Sequence, residues 1–108
     1  MPGSAANAAL LAVTKGLGEE LAPHNIVVNA INPGPTRTER WVTLMNRLAQ
    51  NSGRSVADVE SDYTRQIPLA RLAEPEQIAG LIVFLASDRA ANLVGASLTA
   101  DGGWNRGI

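Results

Sequence analysis

Ile26-Val27-Val28-Asn29-Ala30-Ile31-Asn32-Pro33-Gly34-Pro35-Thr36-Arg37-Thr38 is the stretch whose reading decides the fold. Seven positions rich in β-branched and small apolar residues give way at once to Pro-Gly-Pro, two threonines and a charge. Such a run predicts a buried strand over 26–32 that delivers a loop. Pro33 cannot donate to a sheet ladder and Gly34 frees the backbone, so the strand is expected to stop there. Its C-terminal end then presents N–H groups and hydroxyls, and in open parallel sheets ligands sit at that end.

Upstream, Met1-Pro2-Gly3 reads as a break and Ser4 as an N-cap, followed by a helix from Ala5 to Ala22. Leu10, Val13, Leu17 and Leu21 share one face of it, and Ala5, Ala8, Ala12 and Gly16 share another. The expectation is burial on two sides. Pro23 ends the helix and His24-Asn25 turns the chain into the strand, which makes His24 a solvated loop residue.

Downstream, Glu39 to Gln50 reads as a short helix with Trp41, Leu44, Met45 and Leu48 on one side, stopped by Asn51-Ser52-Gly53. Ser55 caps a second helix, in which Val56, Val59 and Tyr63 lead towards Ile67, and Pro68 closes it. This pair is either a lid over a site or a helical cover for the core; the apolar pattern fits both. Glu74-Pro75-Glu76 opens another helix, running to about Ala86 with Ile78, Leu81, Ile82 and Leu85 as its stripe. A connector and a last strand, Ala96 to Ala100, lead to Asp101-Gly102-Gly103. Strand, helical crossover and strand make a βαβ unit, hence a parallel pair.

Composition narrows the function classes. The 108 residues are 45% hydrophobic but only 4% aromatic, so any core is aliphatic, and the length fits one domain or a piece of one. A net charge of −1 and a pI near 5.7 give no footprint for nucleic acid or an anionic membrane. The absence of cysteine removes disulfides and thiolate metal sites, and a single histidine makes no zinc site. No apolar run approaches the ~18 residues of a membrane span. A cytoplasmic protein is expected, without metal, membrane or nucleic-acid partner.

Four blocks, taken together, resemble the C-terminal half of the short-chain dehydrogenase/reductase family. They are Ser4-Ala5-Ala6-Asn7-Ala8-Ala9-Leu10 with Thr14-Lys15; Val28 to Thr38 through Asn32-Pro33-Gly34-Pro35; Ile67 to Ala79 leading to Phe84-Leu85-Ala86-Ser87-Asp88; and Gly95-Ala96-Ser97-Leu98-Thr99-Ala100-Asp101-Gly102-Gly103. The resemblance implies an α/β fold, the C-terminal part of a doubly wound parallel, Rossmann-like sheet, here two strands with flanking helices. Residues 1–108 would be that half-domain, with a two-helix insertion at about 39–66. It implies an NAD(P)-dependent alcohol/carbonyl oxidoreductase, with NAD or NADP as cofactor. Pro33, Gly34, Thr36 and Thr38 fall where the family binds the nicotinamide end: the backbone at Thr36 meets the carboxamide and the Thr38 hydroxyl reaches the pyrophosphate. A plain N-cap is the alternative role for Thr38.

The family's catalytic tyrosine and lysine map onto Gly3 and Asn7, which supply neither a proton donor nor a cation. No G-x-x-x-G-x-G phosphate loop occurs in these residues. No catalytic residue is therefore assigned, and weak or absent cofactor binding is expected of this chain. A non-catalytic remnant or oligomerisation module is the competing reading, since the family forms dimers and tetramers through the helix matching 5–22 and through its last helix and strand. Leu81, Leu85 and Leu98 would lie near the latter contact.

Overall fold

A computed structural model describes residues 2–106, and its order is α1 (Pro2–Leu21), β1 (Ala30–Pro33), α2 (Glu39–Ser52), α3 (Val56–Thr64), α4 (Pro75–Leu85) and β2 (Ser97–Ala100). The chain divides into two compact units, residues 1–32 with 80–99, and 33–79 with 100–108. The fold is α/β, and β1 and β2 pair in parallel. Ala30 N–H donates to Ala96 O (2.9 Å) and, four residues on in both strands, Gly34 N–H donates to Ala100 O (3.1 Å).

In the first unit, α1 begins at Pro2, three residues earlier than the sequence suggests, so Ser4 lies inside the first turn rather than capping it. Proline suits that position because its missing N–H has no helical partner there anyway. At the other end the α-helix stops at Leu21 and tightens into a 3₁₀ turn over Ala22–His24, which accommodates Pro23. Asn25 takes the left-handed conformation (φ 61°) and returns its N–H to Ala22 O.

The leucine stripe of α1 is not buried. Leu10 is 60% exposed, and Val13, Leu17 and the Ala5, Ala8, Ala12, Gly16 face are exposed too. Thr14 and Gly18, with Leu11 and Leu21 partly covered, form the packed side instead. The reason is Gly18: a Cβ there would lie 2.8 Å from Gly95 N, so only glycine lets that turn of helix meet the backbone before β2. Thr14 is satisfied within the helix, its hydroxyl donating to Leu10 O (2.8 Å).

The first strand is also shorter than expected. Over 26–29 the main-chain ladder is incomplete: Val28 O accepts from Gly95 N–H (2.7 Å), but Asn29 then uses its side chain where a ladder would use main chain. Its Oδ1 accepts from Ala96 N–H (3.0 Å) and its Nδ2 donates to Leu93 O (3.0 Å). Gly95, with φ 64°, bends the partner segment at the same place. Ile26 and Val27 remain exposed. Within this unit α4 half-buries Leu81 and Leu85 but exposes Ile82, Val83 (69%) and Phe84, and Ser87 leads into a 3₁₀ turn over Asp88–Ala90 that the sequence reading leaves as connector.

The second unit has a core of its own. Met45 (1% exposed) and Ile67 (2%) sit with Trp41, Ala49, Val59 and Leu72, flanked by Leu48 and Tyr63. Local chemistry delimits its helices: Ser55 Oγ accepts from Asp58 N–H (3.1 Å) to cap α3, and Gly53 ends α2 in the left-handed conformation. Glu74 opens α4, its N–H donating to Gln77 Oε1 (2.9 Å) in half of a capping box. The α2–α3 pair therefore encloses apolar residues between its own helices and the 67–72 segment.

Candidate functional site

The loop from Pro33 to Thr38 belongs to the second unit, and backbone contacts hold it on two sides. Gly34 is pressed against Asp101; a Cβ on it would lie 2.6 Å from Asp101 Cα and 2.7 Å from Asp101 Cβ. Two residues on, Pro35 O accepts from Ala73 N–H (3.0 Å) and Arg37 N–H donates to Ala73 O (2.9 Å), a single parallel bridge centred on Thr36. In such a bridge the flanking residues make the bonds, so the N–H of the central residue points the other way. The Thr36 N–H has no hydrogen-bond partner among the described residues, although Thr36 is half-buried. Its hydroxyl is used locally, donating to Gly34 O (2.9 Å).

Thr38 caps α2. Its backbone is extended (φ −122°, ψ 170°), and Oγ1 accepts from Trp41 N–H at 3.3 Å. The hydroxyl keeps a proton to donate, for which the described residues offer no acceptor. Thr38 lines an open cleft of about 530 Å³ with Arg37, Glu39, Val42, Thr43 and Pro75. Pro33, Gly34 and Thr36 lie outside that lining, so the four expected residues share one loop without sharing one cleft.

An ionic cluster that sequence reasoning missed fixes the loop. Arg37 Nη2 meets Glu60 Oε1 at 3.0 Å and Arg37 Nε meets Glu74 Oε1 at 3.3 Å, while Trp41 Nε1 donates to Glu60 Oε2 at 3.2 Å. Burial pushes the Glu60 carboxyl up, but the bonds from Trp41 and Arg37 outweigh it and hold Glu60 below the ordinary carboxylate range. The same bonds, from Glu60 first and Glu74 second, raise Arg37. With two carboxylates on it, the Arg37 guanidinium is committed to the protein. An anion at this loop would therefore rely on the Thr38 hydroxyl and on N–H groups of the first turn of α2. Exposed pairs of this kind add little stability, so the cluster's effect is to orient the loop. Nothing local signals it, since Trp41 and Glu60 stand 19 residues apart.

The other candidates stay structural. His24 is exposed on its 3₁₀ turn, and no group of metal-ligating side chains occurs among the described residues. Tyr63 packs edge-on against Trp41, with ring centroids 5.7 Å apart. Gly3 and Asn7 lie on α1, and Lys15 pairs with Glu19 one turn on at 3.2 Å.

Comparison with known proteins bears on the whole of this arrangement. Residues 3–105 match a family model described as enoyl-(acyl carrier protein) reductase. The chain is 36% identical over 102 residues to the NADPH-dependent reductase BacG of Bacillus subtilis, covering 94% of this chain and 39% of that protein. It is 35% identical over 100 residues to the 3-oxoacyl-[acyl-carrier-protein] reductase FabG of Aquifex aeolicus, covering 93% and 36% respectively. Among solved structures, the L-sorbose reductase of Gluconobacter frateurii in complex with NADPH and L-sorbose superimposes with a TM-score of 0.88 at 34% identity, covering 94% of this chain and 39% of that one. The chain thus spans about two-fifths of the length of the relatives it matches. No helix among the described residues is long and apolar enough to cross a membrane.

Proposed function

Because the chain belongs to the short-chain dehydrogenase/reductase family, we propose that residues 1–108 form the part of an NAD(P)-dependent alcohol/carbonyl oxidoreductase domain that holds the nicotinamide end of the cofactor, and that these residues alone do not turn over. The observation that carries this reading is the Thr36 N–H, which faces away from the Ala73 bridge without a partner. It is a positioned donor of the kind a carboxamide oxygen needs. The Thr38 hydroxyl and the first turn of α2 supply donors for a pyrophosphate, and Pro33-Gly34 place the backbone for both. When bound, the nicotinamide supplies or accepts the hydride. The chain's own residues bind and orient; Gly3 and Asn7, at the positions the family gives to tyrosine and lysine, move no proton.

Without a phosphate loop in the 108 residues, the remaining donors are worth roughly 1–3 kcal/mol of net hydrogen bonding. That corresponds to NADPH binding no tighter than about millimolar. Calorimetry of the 108-residue chain with NADH and NADPH is expected to show no micromolar site, and hydride-transfer assays no turnover. A micromolar constant, or activity proportional to protein concentration, defeats this reading.

A second reading, self-association to a dimer or tetramer, is favoured by a specific observation. The first unit buries Thr14 and Ala90 but leaves Leu10, Val13, Leu17, Ile82, Val83 and Phe84 open to solvent. Each buried aliphatic side chain is worth about 1.5–3 kcal/mol, so covering several of these is a strong driving force. Among the described residues, each of the sheet's two strands also has an unpaired edge. Sedimentation at micromolar concentration is expected to show a dimer or larger species; a folded monomer whose unfolding ignores concentration would remove the reading.

A further inference from the structure

Apart from the loop at 33–38, the second unit carries a cleft of about 430 Å³ lined by Arg65, Gln66, Trp104 and Arg106. Two features make it a candidate binding site rather than a surface dent. The first is charge. Neither Arg65 nor Arg106 forms an ion pair among the described residues, and two acids nearby in sequence are already engaged. Asp62 pairs with Arg54 at 2.5 Å, and that bond holds its carboxyl below the ordinary range. Asp101 accepts from Asn105 N–H (2.8 Å) and Gly103 N–H (2.9 Å), which lowers it likewise. Among the described residues, then, two guanidiniums line one cleft without a carboxylate bonded to either, and Asp62 acts on Arg65 only through the field of its charge.

The second feature is that the wall is held in place. Asp101 ties down both sides of Trp104 through its two oxygens, and Trp104 N–H itself donates to Asp101 O (3.1 Å). Gly103 adopts φ 87° and abuts Pro68, where a Cβ would come within 3.0 Å of Cγ; Gly102 O accepts from Leu69 N–H (3.1 Å). Trp104 is left 38% exposed although its backbone is anchored on two sides. Arg65 continues directly from α3, and Gln66 is oriented by its amide, which donates to Asp62 O (3.2 Å).

We propose that this cleft binds a small organic phosphate monoester, with Arg65 and Arg106 on the phosphate and the Trp104 indole against a planar, apolar body. Two guanidinium forks match a dianion better than a monocarboxylate, and an aromatic face takes a flat apolar group. The site stands apart from the dinucleotide reading, using none of the residues at 33–38.

Phenyl phosphate is the probe, with inorganic phosphate and benzoate as the two partial ligands, titrated into the full chain at low salt. Calorimetry and Trp emission are expected to report one saturable site, the emission change vanishing in Trp104→Phe. Arg65→Gln and Arg106→Gln should each weaken phenyl phosphate roughly tenfold, whereas Arg89→Gln, which removes an equal charge elsewhere, should not. A measurement on the unaltered chain backs the variants: phenyl phosphate should shift the indole N–H resonance of Trp104 and leave that of Trp41 in place. Absence of a saturable site, full affinity in the doubly substituted Arg65→Gln/Arg106→Gln chain, or phosphate and benzoate each binding as well as phenyl phosphate overturns the proposal.

Discussion

Met45→Ala is expected to destabilise the second unit by about 2–5 kcal/mol, the range for truncating a fully enclosed aliphatic side chain. Met45 is 1% exposed and lies in the cluster formed by Trp41, Ala49, Val59, Ile67 and Leu72, so deleting its thioether leaves a cavity among residues from α2, α3 and the 67–72 segment. Those neighbours are themselves tied down. Ser55 and Gly53 set the ends of the helices, and Trp41 is anchored through its indole N–H to Glu60. Little collapse into the void is available, which places the cost in the upper part of the range. Urea unfolding followed by far-UV circular dichroism should show a lower midpoint with a similar slope. Val83→Ala provides the contrast. Val83 is 69% exposed, and its truncation should change the stability of a monomer by less than about 0.5 kcal/mol. A Met45→Ala chain within 1 kcal/mol of the parent would mean that the α2–α3 core is not packed as described.

Gly34→Ala is expected to cost about 1–3 kcal/mol and to disturb the candidate site at the same time. The added methyl would stand 2.6 Å from Asp101 Cα and 3.0 Å from Asp101 O, and backbone cannot swing aside as a flexible side-chain tip can. The strain is steric rather than conformational, because Gly34 is not among the glycines with positive φ. Two bonding systems must shift together: Gly34 N–H to Ala100 O, and the Asp101 carboxylate bonds to Gly103 and Asn105 that set Trp104. Unfolding should therefore occur at lower denaturant, and the emission of Trp104, read against a Trp104→Phe background, should change even in the folded protein. A variant with parental stability and parental emission would show that the strand end and Asp101 are not in contact.

Much of the architecture is legible locally. Signals within about four residues name the elements: Thr38 and Ser55 as caps, Gly53 and Asn25 as left-handed stops, Pro75 at the start of α4, and the apolar run closing at Pro33. Their order is enough to require a parallel pair, because a strand returned through a helical crossover has no other common arrangement. The four sequence blocks point to the family before any coordinate is considered, and Gly34 announces a close approach without saying to what. Burial is another matter. A periodic stripe such as Leu10, Val13, Leu17 states that a helix has an apolar face, but not whether these 108 residues contain the surface to cover it; here Gly18 selects the packed side and the stripe stays open. Partnerships over long separations leave no local trace either. Asn29 replacing a ladder bond at Ala96, Thr36 turned outward by a bridge to Ala73, and Glu60 shared by Arg37 and Trp41 join residues 19 to 67 positions apart. Each depends on where the rest of the chain has been placed. The residue types that make helices, caps and turns act through neighbours along the chain, whereas the orientation of a donor at Thr36 or of a guanidinium at Arg37 is set by groups that only folding brings within hydrogen-bond reach.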